Sequence, residues 1–206
     1  MKIENQEKLW DAIAEEWDQY KEIPSRLSKE FLEKAEGKVL DLGSGAGRHI
    51  TKIKKGKMFL VDFSKGMLDL AEKKAKKNKI QIETKKGKLF KIPYEDNFFD
   101  YAICISALHC IKPDKHKKSV QELYRIMKPK SKTLIGVWNF QSKRFNQKRG
   151  KEKEVGWTDK GKRYYYLFDE KEIHDLFKEI GFKILSTHNS EMMINFIVEK
   201  EYNKEQ

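Results

Sequence analysis

Apolar and polar positions along this chain follow two alternating patterns. Leu27, Phe31, Leu32 and Ala35 share one helical face, Gly37 ends that run, and Lys38 to Leu42 then reads as a strand running into glycines. Met58 to Asp62 predicts a second strand, and Ser64 caps a helix that runs through Lys77 and stops at Asn78. Ile80, Ile82 and Thr84 alternate with polar residues as a half-exposed strand, whereas Asp100 to Ser106 is apolar enough for a strand buried on both faces. A helix over Val120 to Met127 is terminated by Pro129, and Thr133 to Trp138 is a further strand. Asp169 followed by Glu172 forms a capping-box pattern for a helix that Gly181 closes. Two strands, Phe182 to Thr187 and Met192 to Glu199, finish the chain without a helix between them and should pair antiparallel at one edge. This alternation predicts an α/β fold, doubly wound, with a mostly parallel sheet and helices on both faces. Trp10, Ile13, Ala14 and Trp17 place an amphipathic helix near the N-terminus, within an N-terminal helical region over 1–36.

Length and composition narrow the class. The 206 residues suit one domain, 1–206, and although 37% of them are charged, the charges interleave with apolar runs throughout, which argues against disorder. The longest apolar runs, such as Tyr101 to Ile105, are far too short to cross a membrane, and Met1 to Trp17 lacks a signal-peptide core, so the chain reads as cytoplasmic. Cys104 and Cys110 stand without a second pair, fit neither a disulfide framework nor a metal site, and read as buried thiols. The net charge of +12 suits a polyanionic partner, although a lysine- and glutamate-rich composition also raises it without one. Between Asn139 and Arg163, however, nine basic and three acidic residues give a net +6, half of the whole excess, in a connection longer than a compact domain needs. We take 139–168 as a basic insert on the substrate side, with Lys143, Arg144, Lys148 and Arg149 as candidate phosphate contacts.

Asp41-Leu-Gly43-Ser44-Gly45-Ala-Gly47-Arg48 follows a strand and is expected to open a helix. Glycines there let the backbone turn sharply and let a ligand press against it. The third glycine of a dinucleotide fingerprint would fall at Arg48, so an oxidoreductase reading fits poorly. Asp62 ends the next strand at a spacing suited to accepting hydrogen bonds from ribose hydroxyls.

Val39 to Arg48, Asp62, and the run from Gly87 to Asp100 resemble the successive motifs of class I S-adenosylmethionine-dependent methyltransferases. That resemblance implies a Rossmann-like seven-stranded sheet, mostly parallel with an antiparallel last strand, and S-adenosyl-L-methionine as cofactor. It implies that Gly43, Ser44, Gly45 and Gly47 lie along the methionine part, that Asp41 organises its amino end, and that Asp62 and Phe63 take the ribose side. Leu89 would offer its backbone to adenine, and Ser106 would complete the cofactor set. Lys88 stands where the family has an acid that accepts from the adenine amino group, and an ammonium cannot accept, so adenine binding is expected to be weaker or differently oriented.

Ile105 to Ile111, Trp138-Asn139, and above all Lys162-Arg163-Tyr164-Tyr165-Tyr166-Leu167-Phe168 are similar to the tRNA wobble-uridine methyltransferases that esterify a 5-carboxymethyl side chain, a domain also found in AlkB-like tRNA enzymes. The resemblance implies transfer to a carboxylate, which needs positioning and no general base. Arg163 would grip a carboxylate or phosphate, Tyr164 or Tyr165 would stack on an unstacked base, and His109 would orient the substrate. It also implies the tRNA anticodon arm as partner, with a small zinc-binding activator adding a strand at the sheet edge near Lys79 to Thr84. The alternatives are a small-molecule O-, N- or C-methyltransferase of the same fold, and a cofactor-binding subunit without turnover.

Overall fold

A computed structural model describes residues 5–20, 23–145 and 150–202. Its strands are β1 (Gly37–Leu42), β2 (Gly56–Asp62), β3 (Ile82–Lys86), β4 (Phe99–Ile105), β5 (Met127–Trp138), β6 (Glu152–Gly156), β7 (Lys162–Tyr166), β8 (Phe182–Thr187) and β9 (Met193–Lys200). Seven of them form one sheet in the order β3-β2-β1-β4-β5-β9-β8, and β6 and β7 form a separate antiparallel hairpin. Pairing is parallel from β3 through β5, and β9 runs antiparallel to both β5 and β8. This is the doubly wound, mostly parallel α/β architecture expected from the sequence.

The helices are α1 (Gln6–Ala12), α2 (Ala14–Tyr20), α3 (Arg26–Glu33), α4 (Lys65–Lys77), α5 (Pro113–Ile126) and α6 (Glu170–Ile180). Successive residues of each strand face opposite ways, and the apolar ones sort accordingly. Leu40, Val61, Cys104 and Val137 meet Val120, Leu123, Ile173 and Phe177 of α5 and α6, while Val39, Leu60, Ile103 and Leu134 meet Phe31, Leu32, Leu68 and Ala71 of α3 and α4. The capping predictions rest on visible bonds: Ser64 Oγ accepts from the Met67 amide at 3.1 Å, and Asp169 and Glu172 complete the capping box of α6. A third cluster joins Leu9, Trp10, Ile13 and Ala14 of the N-terminal region to Met67 and to Tyr165 of the hairpin.

Three sequence expectations change. The half-exposed strand begins at Ile82 and ends at Lys86, because Lys79 adopts a left-handed φ of 56° and the Ile80 amide still bonds to Ala75 O at 2.9 Å, ending α4. The edge available for strand addition is therefore Ile82 to Lys86 rather than Lys79 to Thr84. The basic insert is not a plain loop but carries the β6–β7 hairpin. No helix opens after the glycine motif, since Gly43, Gly45 and Gly47 hold φ values of 73°, 53° and 75°, which break helical continuity every second residue.

Candidate active site

At the end of β1 the backbone leaves the sheet at Gly43, and the amides of Gly43 and Ser44 both donate to Val61 O, at 2.7 and 3.2 Å. A side chain at Gly43 would be doubly excluded, by its positive φ and by Ala107 Cβ 2.2 Å from where a Cβ would stand. Asp62, at the end of β2, is buried and accepts from the Gly45 amide at 2.8 Å and the Ser64 amide at 2.9 Å. Burial pushes its carboxyl up to about 6, against the pull of those two amides.

These elements wall a pocket. Gly43, Ser44, Gly45, Asp62, Phe63, Leu89 and Ser106 line it, with Trp10 and Trp17 from the N-terminal helices also in its wall. Three residues of the expected cofactor set, Gly47, Asp41 and Lys88, lie outside this wall. Gly47 is a packing glycine, whose added Cβ would stand 2.4 Å from Ile50 and 2.9 Å from Ala71, and Asp41 sits behind the loop in the middle of the sheet. Lys88 lines the adjoining hollow with Phe63, Leu89 and Tyr164, and its ammonium lies 3.9 Å from Glu7, which Lys86 approaches to 2.7 Å.

A wider cleft shares Trp10, Trp17, Arg48, Ser106 and Cys110 with the pocket. Strand alternation divides the Arg-Tyr-Tyr-Tyr run of β7: Arg163 and Tyr165 line this cleft. Tyr164 instead lines the adjoining hollow with its hydroxyl on Glu152 at 2.8 Å, so it does not share the wider cleft with Tyr165 as the sequence reading allowed. The Arg163 guanidinium sits among four rings, 4.7 Å from Trp157, 5.1 Å from Trp17, 5.4 Å from Tyr165 and 5.9 Å from Trp10. Its Nη2 donates to Gly156 O at 3.4 Å, but its buried Nε has no partner among the described residues. Tyr165 stacks on Trp138 with ring centroids 4.2 Å apart, and its buried hydroxyl also has none among them.

His109 lies in a single turn after β4 and is 1% exposed. The Trp138 amide donates to its Nδ1 at 2.9 Å. An amide N–H can only donate, so Nδ1 is the acceptor and the neutral ring carries its proton on Nε2. Burial, with the nearby charges of Arg48 and His116, holds the imidazole down at about 3, far below its ordinary range. Cys104 is buried as expected, whereas Cys110 is partly exposed at the junction of pocket and cleft.

The hairpin grips the N-terminal helices. Gln6 accepts from the Tyr164 amide at 2.9 Å and donates to Lys162 O at 3.0 Å, and Glu16 takes both the Trp157 indole N–H and Lys160. Part of the insert's positive charge is thereby spent inside the molecule. Lys151 bridges Asp169 and Glu172 at 2.6 and 2.7 Å, Lys162 stands 3.6 Å from Glu154, and Arg163 is buried. Lys143 and Arg144 form no ion pair among the described residues, and Lys148 and Arg149 lie outside those residues.

Arg48, His49 and Trp157 also belong to these walls, and the sequence reading gave none of them a role. Arg48 and His49 directly follow the last glycine, which is a usable signal, while Trp157 is marked only as the sole tryptophan of the insert.

Residues 39–130 match the family described as a methyltransferase domain. A protein of Encephalitozoon cuniculi with a provisional methyltransferase name is 24% identical over 84% of this chain and 85% of its own length. The tRNA N(3)-cytidine methyltransferase of Danio rerio is 25% identical over 72% of this chain but only 45% of its own, and the chain spans about half the length of several other curated relatives. The methyltransferase solved in complex with the Trm112 activator of Haloferax volcanii superposes with a TM-score of 0.73 at 14% identity, covering 100% of both chains. Other structures sharing the fold are S-adenosylmethionine-dependent methyltransferases. The pocket fits that cofactor: a carboxylate at the end of β2, a glycine turn closed to side chains, and an apolar wall of Phe63 and Leu89.

Proposed function

We propose that this chain acts as a class I S-adenosylmethionine-dependent methyltransferase and that its acceptor is a carboxylate, specifically that of a 5-carboxymethyl-type uridine at the wobble position of tRNA. One observation carries the reading. Two buried donors, Tyr165 O–H and Arg163 Nε–H, belong to one cleft beside the cofactor pocket and have no acceptor among the described residues, and His109, whose Nε2 carries the ring proton, lines the same cleft. Buried donors left unpaired cost about 1–3 kcal/mol each, so they call for an oxygen-rich ligand. The two acids on the cleft wall, Glu30 and Glu191, are already engaged, with Arg26 and with Ser142 and the Lys143 amide. Neither acid is free to act as a base, which favours an anionic acceptor over a neutral one.

When bound, the cofactor would supply an electrophilic methyl group on a sulfonium, whose in-line transfer to a carboxylate oxygen would leave the electron pair of the broken carbon–sulfur bond on sulfur. No proton moves. His109, fixed as a donor by Trp138, would hold one carboxylate oxygen, and Tyr165 and Arg163 would hold the other, leaving a lone pair free for attack. Trp138 and Tyr165 would offer ring faces to a base.

The tRNA substrate draws support from the Danio rerio relative and from the activator-bound Haloferax volcanii structure. For a partner of the latter kind the receiving edge would be β3, whose Ile82 and Thr84 are partly exposed. A small carboxylate acceptor is the second reading, favoured by the internal pairing of the insert's lysines. Methyl transfer from labelled S-adenosylmethionine to total tRNA, with and without a co-purified activator, followed by nucleoside mass spectrometry, decides between them. A methyl ester on a carboxymethyl-type uridine supports the first; label confined to a metabolite extract supports the second.

A further inference from the structure

Most of the buried side-chain polar atoms that lack a partner among the described residues lie beside the pocket and cleft, and two of them are the nitrogens of His49. His49 is 4% exposed and forms part of the pocket wall, next to Arg48. Its Nδ1 is 3.4 Å from Asp41 Oδ2, which is itself buried and without a hydrogen bond. A pair so placed is poised rather than satisfied: the carboxylate faces one ring nitrogen, and the other nitrogen has no protein acceptor. The Arg48 guanidinium is mostly withdrawn from water, touches only Ser106 Oγ at 3.5 Å, and is pulled down in pKa by its burial. The acids of this wall are Asp18, held by Lys74 at 2.5 Å, and Asp62, held by the Gly45 and Ser64 amides. Two cation-capable groups thus stand on the same wall as the glycine turn with no anion of the protein assigned to Arg48.

We propose that Arg48 and His49 bind the carboxylate of the cofactor's amino-acid arm, and that Asp41 is a positioning residue that acts through His49 by accepting from its Nδ1–H, so that the doubly protonated ring turns its Nε2–H to the ligand. Asp41 is excluded from the pocket wall by its place in the sheet, so its influence on the ligand passes through the ring in front of it. The inference rests on the cofactor and not on the acceptor, and it stands whether the methylated group is RNA or a small molecule.

Calorimetry on the full chain with two nucleosides tests it. S-adenosylhomocysteine carries the amino-acid arm, and 5′-methylthioadenosine shares the adenosine and thioether but lacks that arm. Arg48→Gln and His49→Ala are each expected to weaken S-adenosylhomocysteine about ten- to hundredfold, the range of a charge-assisted hydrogen bond, while 5′-methylthioadenosine stays within about twofold. His49→Gln, which keeps a donor, should recover part of the loss, and Asp41→Asn should show a smaller loss of the same selectivity. Equal weakening of both ligands would mean that these residues only shape the pocket, and unchanged S-adenosylhomocysteine binding would mean that the carboxylate is held elsewhere; either result overturns the proposal. Should Asp41→Asn fail to fold, the contrast between His49→Gln and His49→Ala carries the test alone. Binding of neither nucleoside by the unsubstituted protein would overturn the cofactor assignment itself, a different failure from loss of methyl transfer to tRNA.

Discussion

The backbone amide of Trp138 donates to Nδ1 of His109 at 2.9 Å, and this one bond decides what the histidine can do. With Nδ1 filled, the ring offers the cleft a proton and not a lone pair. Because burial holds its pKa at about 3, it stays neutral across the working range. The rate of methyl transfer should therefore show no inflection from His109 between about pH 6 and 8, unlike a general-base mechanism. His109→Phe should lower kcat/KM by about tenfold or more with cofactor affinity unchanged, and His109→Asn, which retains a donor, should lose less. Single-turnover assays across pH check both.

Asp62 sets the pH dependence of cofactor binding. Its carboxyl, raised to about 6 by burial, is protonated in the ligand-free protein at pH 5 and ionised at pH 7. Ribose hydroxyls donate to the ionised form, so affinity for S-adenosylhomocysteine should rise with pH through 6, by up to about tenfold per unit below it. The sign reverses for stability: the ligand-free fold binds this proton more tightly than the unfolded chain does, so it should gain stability as the pH falls from 6 toward 4. Asp62→Asn should flatten both profiles in calorimetry and in denaturant titration.

Gly43→Ala should abolish cofactor binding and cost about 1–3 kcal/mol of stability. The new methyl would have to clear Ala107 Cβ from 2.2 Å while the residue held a φ of 73°. Pairing it with Ala107→Gly should recover part of the stability, and a double-mutant cycle measured by denaturation separates the clash from the backbone strain.

The insert's lysines should divide by role. Lys151→Ala removes the shared partner of Asp169 and Glu172 and should destabilise the protein by about 1 kcal/mol without changing RNA affinity. Reversing the charge at Lys143 and Arg144 should instead weaken tRNA binding and flatten its salt dependence, with little effect on melting temperature. Filter binding at several salt concentrations distinguishes the two outcomes.

The sheet was legible because its strands are apolar runs bounded by glycines and helix caps, and each such signal is local. Ser64, Asp169 and Gly181 cap or close the helices expected of them. The hairpin was not legible: β6 reads Glu-Lys-Glu-Val-Gly, a charged stretch that pairs only because β7 lays Arg163, Tyr164 and Tyr165 beside it. The same alternation explains why Tyr164 and Tyr165, adjacent in sequence and equal as candidates, serve different pockets. The missing helix after the glycine motif was likewise hidden, since glycine content signals a turn without saying how many follow. Arg163 was a candidate already from the Arg-Tyr-Tyr run, whereas His49 became one by being buried with neither ring nitrogen hydrogen-bonded among the described residues, a property that no single position in a sequence reveals.

The grip of residues 157–164 on Gln6 and Glu16 has a consequence for the order in which the molecule is completed. Helices α1 and α2 have seven residues each, too few to persist alone, and they are held by Asp11 and Asp18 against the start and end of α4 and by contacts to the hairpin that span more than 140 positions of the chain. Contacts of such long range close late in folding, and segments held by few of them open at well below the cost of global unfolding. Hydrogen exchange should find Trp10 and Trp17 lifting away together while the sheet stays protected. Such breathing would give a bulky acceptor its way in, with the same surface closing behind it to keep out water.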